Sequence, residues 1–101
     1  MRFVFSAELW LWTARNESSG TSWVFVTVPK DDSEDIRDGI ERKAGFGSVK
    51  VVAQIGDTRW KTSVFPDSES GCYVLPLKKA VRTAEKIDIG DTAEVDIEVL
   101  D

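Results

Sequence analysis

The order of its elements constrains this chain most. Two alternating apolar segments, a proline, a helical segment and a further alternating segment appear, and the same series then appears again. In the first half these are Met1 to Ala14, Trp23 to Val28, Pro29, a helix that begins in Asp31–Asp35 and reaches about Lys43, and Val49 to Ile55. In the second half they are Arg59 to Phe65, Cys72 to Leu75, Pro76, a helix over Leu77–Lys86, and Ala93 to Val99. Each half is too small to enclose a core, so two β-β-α-β units are expected to interlock. The fold expected is mainly β, with about six strands in a closed or partly split barrel capped by two short helices. A shared tetrapeptide, Ile55-Gly-Asp-Thr58 and Ile89-Gly-Asp-Thr92, does not set the register of this duplication. Its first copy lies inside a hairpin and its second joins a helix to a strand.

Local chemistry supports the individual elements. Pro76 lacks an N–H and has a φ near the helical value, which suits a helix start. Leu77, Ala80, Val81 and Ala84 recur at i, i+3, i+4 and i+7, a single apolar stripe. Ala93, Val95, Ile97 and Val99 alternate with Glu94, Asp96 and Glu98, a half-buried strand with an acidic outer face. In the first segment Phe3, Phe5, Ala7, Leu9 and Leu11 share one face, expected to be the core. Trp10 and Trp12 fall on the opposite face, either under a helix or partly exposed. The dense run Trp23 to Val28 reads as a strand buried on both faces, and Arg15–Gly20 as a hairpin loop.

Composition narrows the function classes. The 101 residues make one domain, 1–101, with 42% hydrophobic and 31% charged residues, ordinary for a folded protein. The single cysteine, Cys72, cannot form an internal disulfide and fits a reducing compartment. Apolar runs such as Leu9 to Trp12 fall far short of the ~20 residues that span a bilayer, and Glu8 argues against a signal peptide. The expected location is the cytoplasm, with no membrane partner. A net charge of −5 disfavours nucleic acid, whose binding rests on neutralising phosphates. The absence of histidine removes the commonest general base near neutral pH and a frequent metal ligand.

Longer patterns carry a resemblance. Trp60-Lys-Thr-Ser-Val-Phe-Pro66, Tyr73-Val-Leu-Pro-Leu-Lys-Lys-Ala-Val-Arg82 and Gly90-Asp91-Thr92 resemble the domain-of-unknown-function family numbered nineteen-zero-five. Phe3-Val-Phe-Ser-Ala-Glu-Leu-Trp10 and Trp23-Val-Phe-Val-Thr-Val-Pro29 resemble its N-terminal half. The resemblance implies a double-split β-barrel of two similar motifs, akin within one chain to the dimeric barrel of AbrB- and MazE-type DNA-binding regulators. It implies no activity.

The candidate chemistry is sparse. Cys72 has no histidine to activate it and reads as a buried strand residue. The carboxylates Asp31, Asp32, Glu34, Asp35, Asp88, Asp91, Glu94, Asp96 and Glu98 lie where capping and solubility call for acids. No common metal-ligand spacing and no phosphate-binding glycine pattern occurs, so no metal or cofactor is expected. Lys78, Lys79, Arg82 and Lys86, with Arg59 and Lys61 one hairpin earlier, form the one basic group. A ligand groove there would be edged by Arg59, Trp60, Lys61, Ser63, Tyr73, Lys78, Lys79 and Arg82. The four tryptophans read chiefly as packing, with stacking on a ligand as the alternative. The function these residues favour is a non-catalytic binding module for a small anionic ligand or a protein partner, as a monomer or homodimer. The alternative is an AbrB-like DNA-binding regulator using the helix Leu77–Lys86, and an enzyme ranks last.

Overall fold

A computed structural model describes residues 1–13, 22–40 and 47–100. Its elements run β1 (Arg2–Glu8), β2 (Trp10–Thr13), β3 (Ser22–Thr27), α1 (Lys30–Ile40), β4 (Val49–Ile55), β5 (Thr58–Asp67), β6 (Cys72–Pro76), α2 (Lys79–Glu85) and β7 (Thr92–Val99). The segment Arg15–Gly20 and the end of the first helix towards Lys43 lie outside the described residues. The protein is mainly β, a curled sheet with two helices, and its strands follow the order β1-β7-β4-β5-β6-β3-β2.

The first strand of each half is shared between two sets of neighbours. β5 pairs with β4 over Thr58–Val64 and with β6 over Phe65–Asp67. β1 pairs with β7 over Arg2–Glu8, and its continuation β2 pairs with β3 over Trp10–Thr13. The two ends of the sheet are thus joined covalently at Leu9, and the sheet curls back on itself like a barrel. β3–β6 and β4–β7 pairs complete it, each joining one half of the chain to the other. Neither half finishes its hydrogen-bonded ladders without its counterpart. The expected duplication of element order therefore matches the pairing pattern. The repeated tetrapeptide does not, since it joins β4 to β5 in one copy and α2 to β7 in the other.

Leu9 accounts for the difference between the expected six strands and the seven seen among the described residues. Its N–H donates to the Asp91 carbonyl at 2.9 Å, and its carbonyl accepts from the Gly90 N–H at 2.9 Å. Its side chain is fully buried. The strand bends there, and the even alternation of Phe3 to Leu11 fails beyond it. Phe5 and Leu9 enter the core, whereas Leu11 is exposed. A second correction concerns β3, which is buried on one face only. Val24, Val26 and Val28 enter the core while Trp23 stands in solvent.

Pro76 ends a strand rather than opening a helix. Pro76 closes β6 opposite Phe25, and the Leu77 N–H extends the ladder to the Val24 carbonyl at 2.8 Å. Lys78 is the cap and α2 starts at Lys79. Proline's fixed φ suits an extended strand end as well as a helical turn, so composition could not separate the two. Of the expected stripe, Leu77 and Val81 are buried, while Ala80 and Ala84 face water. A seven-residue helix touches the barrel along only one edge. Similarly, α1 begins at Lys30, directly after Pro29, and buries Ile36 and Ser33.

Ser33 pins α1 to the barrel where the β3–β6 ladder stops. Its hydroxyl donates to the Val28 carbonyl at 3.1 Å and accepts from the Tyr73 N–H at 3.0 Å. Nearby, the Val28 N–H donates to the Tyr73 carbonyl at 2.9 Å. Ser33→Ala strands the buried Tyr73 N–H, a loss expected to cost about 1–3 kcal/mol. A urea titration checks this, the expected outcome being a lower midpoint with unchanged slope.

Candidate functional site

The residues expected at one groove are spread over several surfaces. Arg59 lines a recess of about 180 Å³ with Arg2, Val52, Gln54, Asp96 and Glu98. Lys79 and Arg82 line a separate recess of about 320 Å³ with Thr83, Lys86, Ile87 and Asp88. Lys61 and Ser63 share Arg59's face of β5, and Lys78 caps α2 in solvent. Trp60 lies on the opposite side of β5 and packs against the core. Its indole N–H is buried with no hydrogen-bond partner among the described residues. Tyr73 is only 3% exposed, so its ring lines no groove edge. It belongs to the core cluster, and the Arg37 guanidinium lies 6.0 Å from the ring centre. Cys72 is buried, as expected of a strand cysteine.

Two of the arginines are also engaged. The Arg82 Nε–H donates to the Leu77 carbonyl at 3.3 Å, and its Nη1 lies 3.7 Å from Asp88. Arg2 bonds both oxygens of Asp96 through Nε at 3.1 Å. The Arg2 hydrogen bond lowers the Asp96 carboxyl below its ordinary value, outweighing the opposing effect of burial, with lesser help from the charges of Arg2 and Arg59. Asp88 and Asp91 serve their turn: the Asp88 N–H donates to Asp91 Oδ2 at 2.9 Å, and Asp88 Oδ1 accepts from the Ile89 N–H at 2.8 Å. In the first turn of α1, burial and the neighbouring Asp35 and Asp31 raise the Asp32 carboxyl.

A different surface emerges on the outer face of the sheet. Register places Arg2, Glu98, Asp96, Gln54, Lys50, Arg59, Lys61 and Ser63 together over β1, β7, β4 and the first part of β5. That half is charged, as expected of a sheet face turned to water. Beyond Ser63 the same face of β5 continues with Phe65 and Asp67, and the pairing partner changes from β4 to β6. From there register brings Phe65 beside Val74, Phe25 beside Trp10, and Trp23 beside Trp12. This half is aromatic.

The rings edge an open groove of about 420 Å³, with Pro66, Val74 and Asp67 at its β5–β6 side. Trp12 is 41% exposed, Trp23 51% and Phe65 43%, values that make this a surface rather than a core. Trp23 and Phe25 lie nearly parallel, at 10° with centroids 6.3 Å apart, while Trp10 tilts at 42° to Phe25 at 5.4 Å. The Trp10 Nε1–H donates to Thr27 Oγ1 at 2.9 Å, which fixes that ring's orientation. Among the described residues Asp67 is the one charged side chain lining the groove. Its oxygens accept from the Glu69 N–H at 3.3 Å and the Ser70 hydroxyl at 2.8 Å. Arg37 ties the same turn to α1 through the Gly71 carbonyl at 2.8 Å.

Sequence reasoning placed the site among cations, read Trp12 and Trp23 chiefly as packing with ligand stacking as the alternative, and passed over Phe25, Phe65 and Asp67. The signal was present in β3, where valines alternate with Trp23, Phe25 and Thr27. Only one of those two sets can face the core of a two-sided strand.

The molecule is thus a small β domain, barrel-like within a single chain, with a charged half and an open aromatic half on its outer face. The family model described as Domain of unknown function (DUF1905) matches residues 5–97, and the chain belongs to that family. The match begins at Phe5, so Phe3 and Val4 of the N-terminal resemblance stand outside it. No curated protein matches the chain. Among the described residues no helix is long and apolar enough to cross a membrane.

The lowered Asp96 carboxyl has a definite consequence for pH. Its contribution is complete above the unfolded value near pH 4 and is lost as pH falls through the lower folded value. The expected outcome of urea unfolding on descent from about pH 5 is a steeper loss for the wild type than for Asp96→Asn. Added salt should narrow the difference, because the pair is exposed.

Proposed function

We propose that this domain is a non-catalytic binding module whose ligand surface is the aromatic groove across β2, β3, β6 and β5. One observation carries the reading: a single sheet face is charged on one half and aromatic on the other, with the change occurring along β5. The charged half is what solubility asks of such a face. An exposed cluster of aromatic rings adds nothing to solubility and marks an interaction site. Its volume falls within the ~300–1,000 Å³ of small-molecule sites, and one polar group stands among apolar walls, as such sites require. A small organic molecule with a flat or compact apolar body fits it, held by stacking on the indoles.

The basic surface offers less support for an anionic ligand or a protein partner. Arg59 and the group Lys79, Arg82 and Lys86 occupy separate recesses, each of which is also lined by a carboxylate. Strand sharing within each half agrees with a double-split, AbrB-like description of the barrel, and a regulator-like DNA contact would fall on α2. That helix has seven residues, and its Arg82 is turned towards Leu77 and Asp88. The turn-capping roles of Asp88 and Asp91 favour binding over catalysis, and the buried single cysteine fits a cytoplasmic setting.

Titration of labelled protein with benzyl alcohol, followed by the indole N–H resonances, tests the reading. The expected outcome is movement at Trp10, Trp12 and Trp23, silence at Trp60, and weaker binding after Trp23→Ala. Silent indoles together with salt-sensitive shifts over Lys79–Lys86 on adding duplex DNA would contradict it and restore the regulator alternative.

A further inference from the structure

We infer that the groove takes a small organic cation: an ammonium compound whose apolar body lies on the indoles and whose positive head rests against Asp67. This inference depends on the groove being the ligand surface, as proposed above. It follows from charge complementarity within the groove. Aromatic rings present the negative face of their quadrupole, which attracts a cation and repels an anion. Among the described residues the one charge in the lining is the Asp67 carboxylate, and it and the rings both favour positive charge.

Asp67 is also held in place before any ligand arrives. It is partly buried at the end of β5, and its oxygens accept the Glu69 N–H and the Ser70 hydroxyl. Arg37 does not neutralise it from the α1 side, because its guanidinium is directed to the Gly71 carbonyl and the Tyr73 ring. Arg59 and Lys61 belong to the charged half of the face, and Lys79 and Arg82 to a different recess. A neutral apolar ligand covering the groove would strip water from the Asp67 carboxylate and give it no partner in return, which is costly. A cationic head supplies the partner. A methylated ammonium is the best match, since its charge is weakly hydrated and spread over a surface that packs on indoles.

Across the strands the groove runs three spacings from β2 to β5, about 14 Å, and register offsets Asp67 from Trp23 by six residues along them, about 20 Å. Trp12 and Trp23 stand at one side and Asp67 at the other. The cation therefore has room for an extended apolar body, with the head group at the β5 side.

Choline and its uncharged carbon isostere, in which a tert-butyl group replaces the trimethylammonium, separate charge from shape. Both are titrated into the full chain while the indole N–H resonances are followed. Choline is expected to bind more tightly than the isostere by on the order of tenfold. Asp67→Asn should remove most of that preference, with its melting temperature confirming that the Ser70 turn survives. Phe65→Ala should weaken both ligands. Equal binding of the two compounds, unaffected by Asp67→Asn, would overturn the inference and leave the groove as an apolar small-molecule site. Failure of both compounds to move any of the Trp10, Trp12 and Trp23 indoles would overturn the inference and the groove reading together.

Discussion

The backbone hydrogen bonding of two shared strands underlies the whole molecule. β5 satisfies its N–H and C=O groups first with β4 and then with β6, and the β1–β2 strand does the same with β7 and β3. A buried backbone group left unpaired costs as much as a lost hydrogen bond, so each half of the chain completes its ladders only on the other. Leu9 is the hinge that makes this possible in the first half. It is buried, it bends the strand, and it hands its own hydrogen bonds to Gly90 and Asp91. Curling of the sheet, a continuous core and coverage by two short helices all follow from this arrangement.

The same strand sharing divides the outer surface. Where β5 leaves β4 for β6, its outward side chains change from Arg59, Lys61 and Ser63 to Phe65 and Asp67. One half of the face carries ion pairs such as Arg2–Asp96 and is at ease in water. The other carries indoles and phenyl rings whose burial in a complex would release a favourable hydrophobic contribution that the free chain forgoes. Function is therefore placed where the surface departs from what solubility alone would choose. The carboxylate at the edge of the rings turns an apolar patch into a chemically selective one.

Much of the architecture was legible because it rests on periodicity and punctuation. The alternation in Ala93–Val99 survives intact in β7, and the duplicated element order survives in the pairing. Positions that failed did so for identifiable reasons. Leu11 looked like a core residue because nothing in Leu9 announces a bend, and the contact causing it lies with Gly90 and Asp91, distant in sequence. Pro76 looked like a helix start because its φ suits both a strand end and a helical turn. The site was less legible than the fold. Lys79 and Arg82 drew attention as a basic group, yet register separates them from Arg59. Tyr73 reads as a polar-tipped groove residue, but it belongs to the buried core. Trp23 and Phe25 were hidden inside an apolar run whose two faces only the pairing of β2 with β3 could distinguish.

The central claim is that the rings of β2 and β3 form an open surface of the free chain while Trp60 belongs to its interior. Paramagnetic relaxation of the indole N–H resonances by a neutral gadolinium chelate measures this directly. Strong relaxation at Trp12 and Trp23, protection at Trp60 and no dependence on protein concentration are the results the account predicts. Trp12 and Trp23 as well protected as Trp60 would mean that the aromatic face is already covered, and would contradict it.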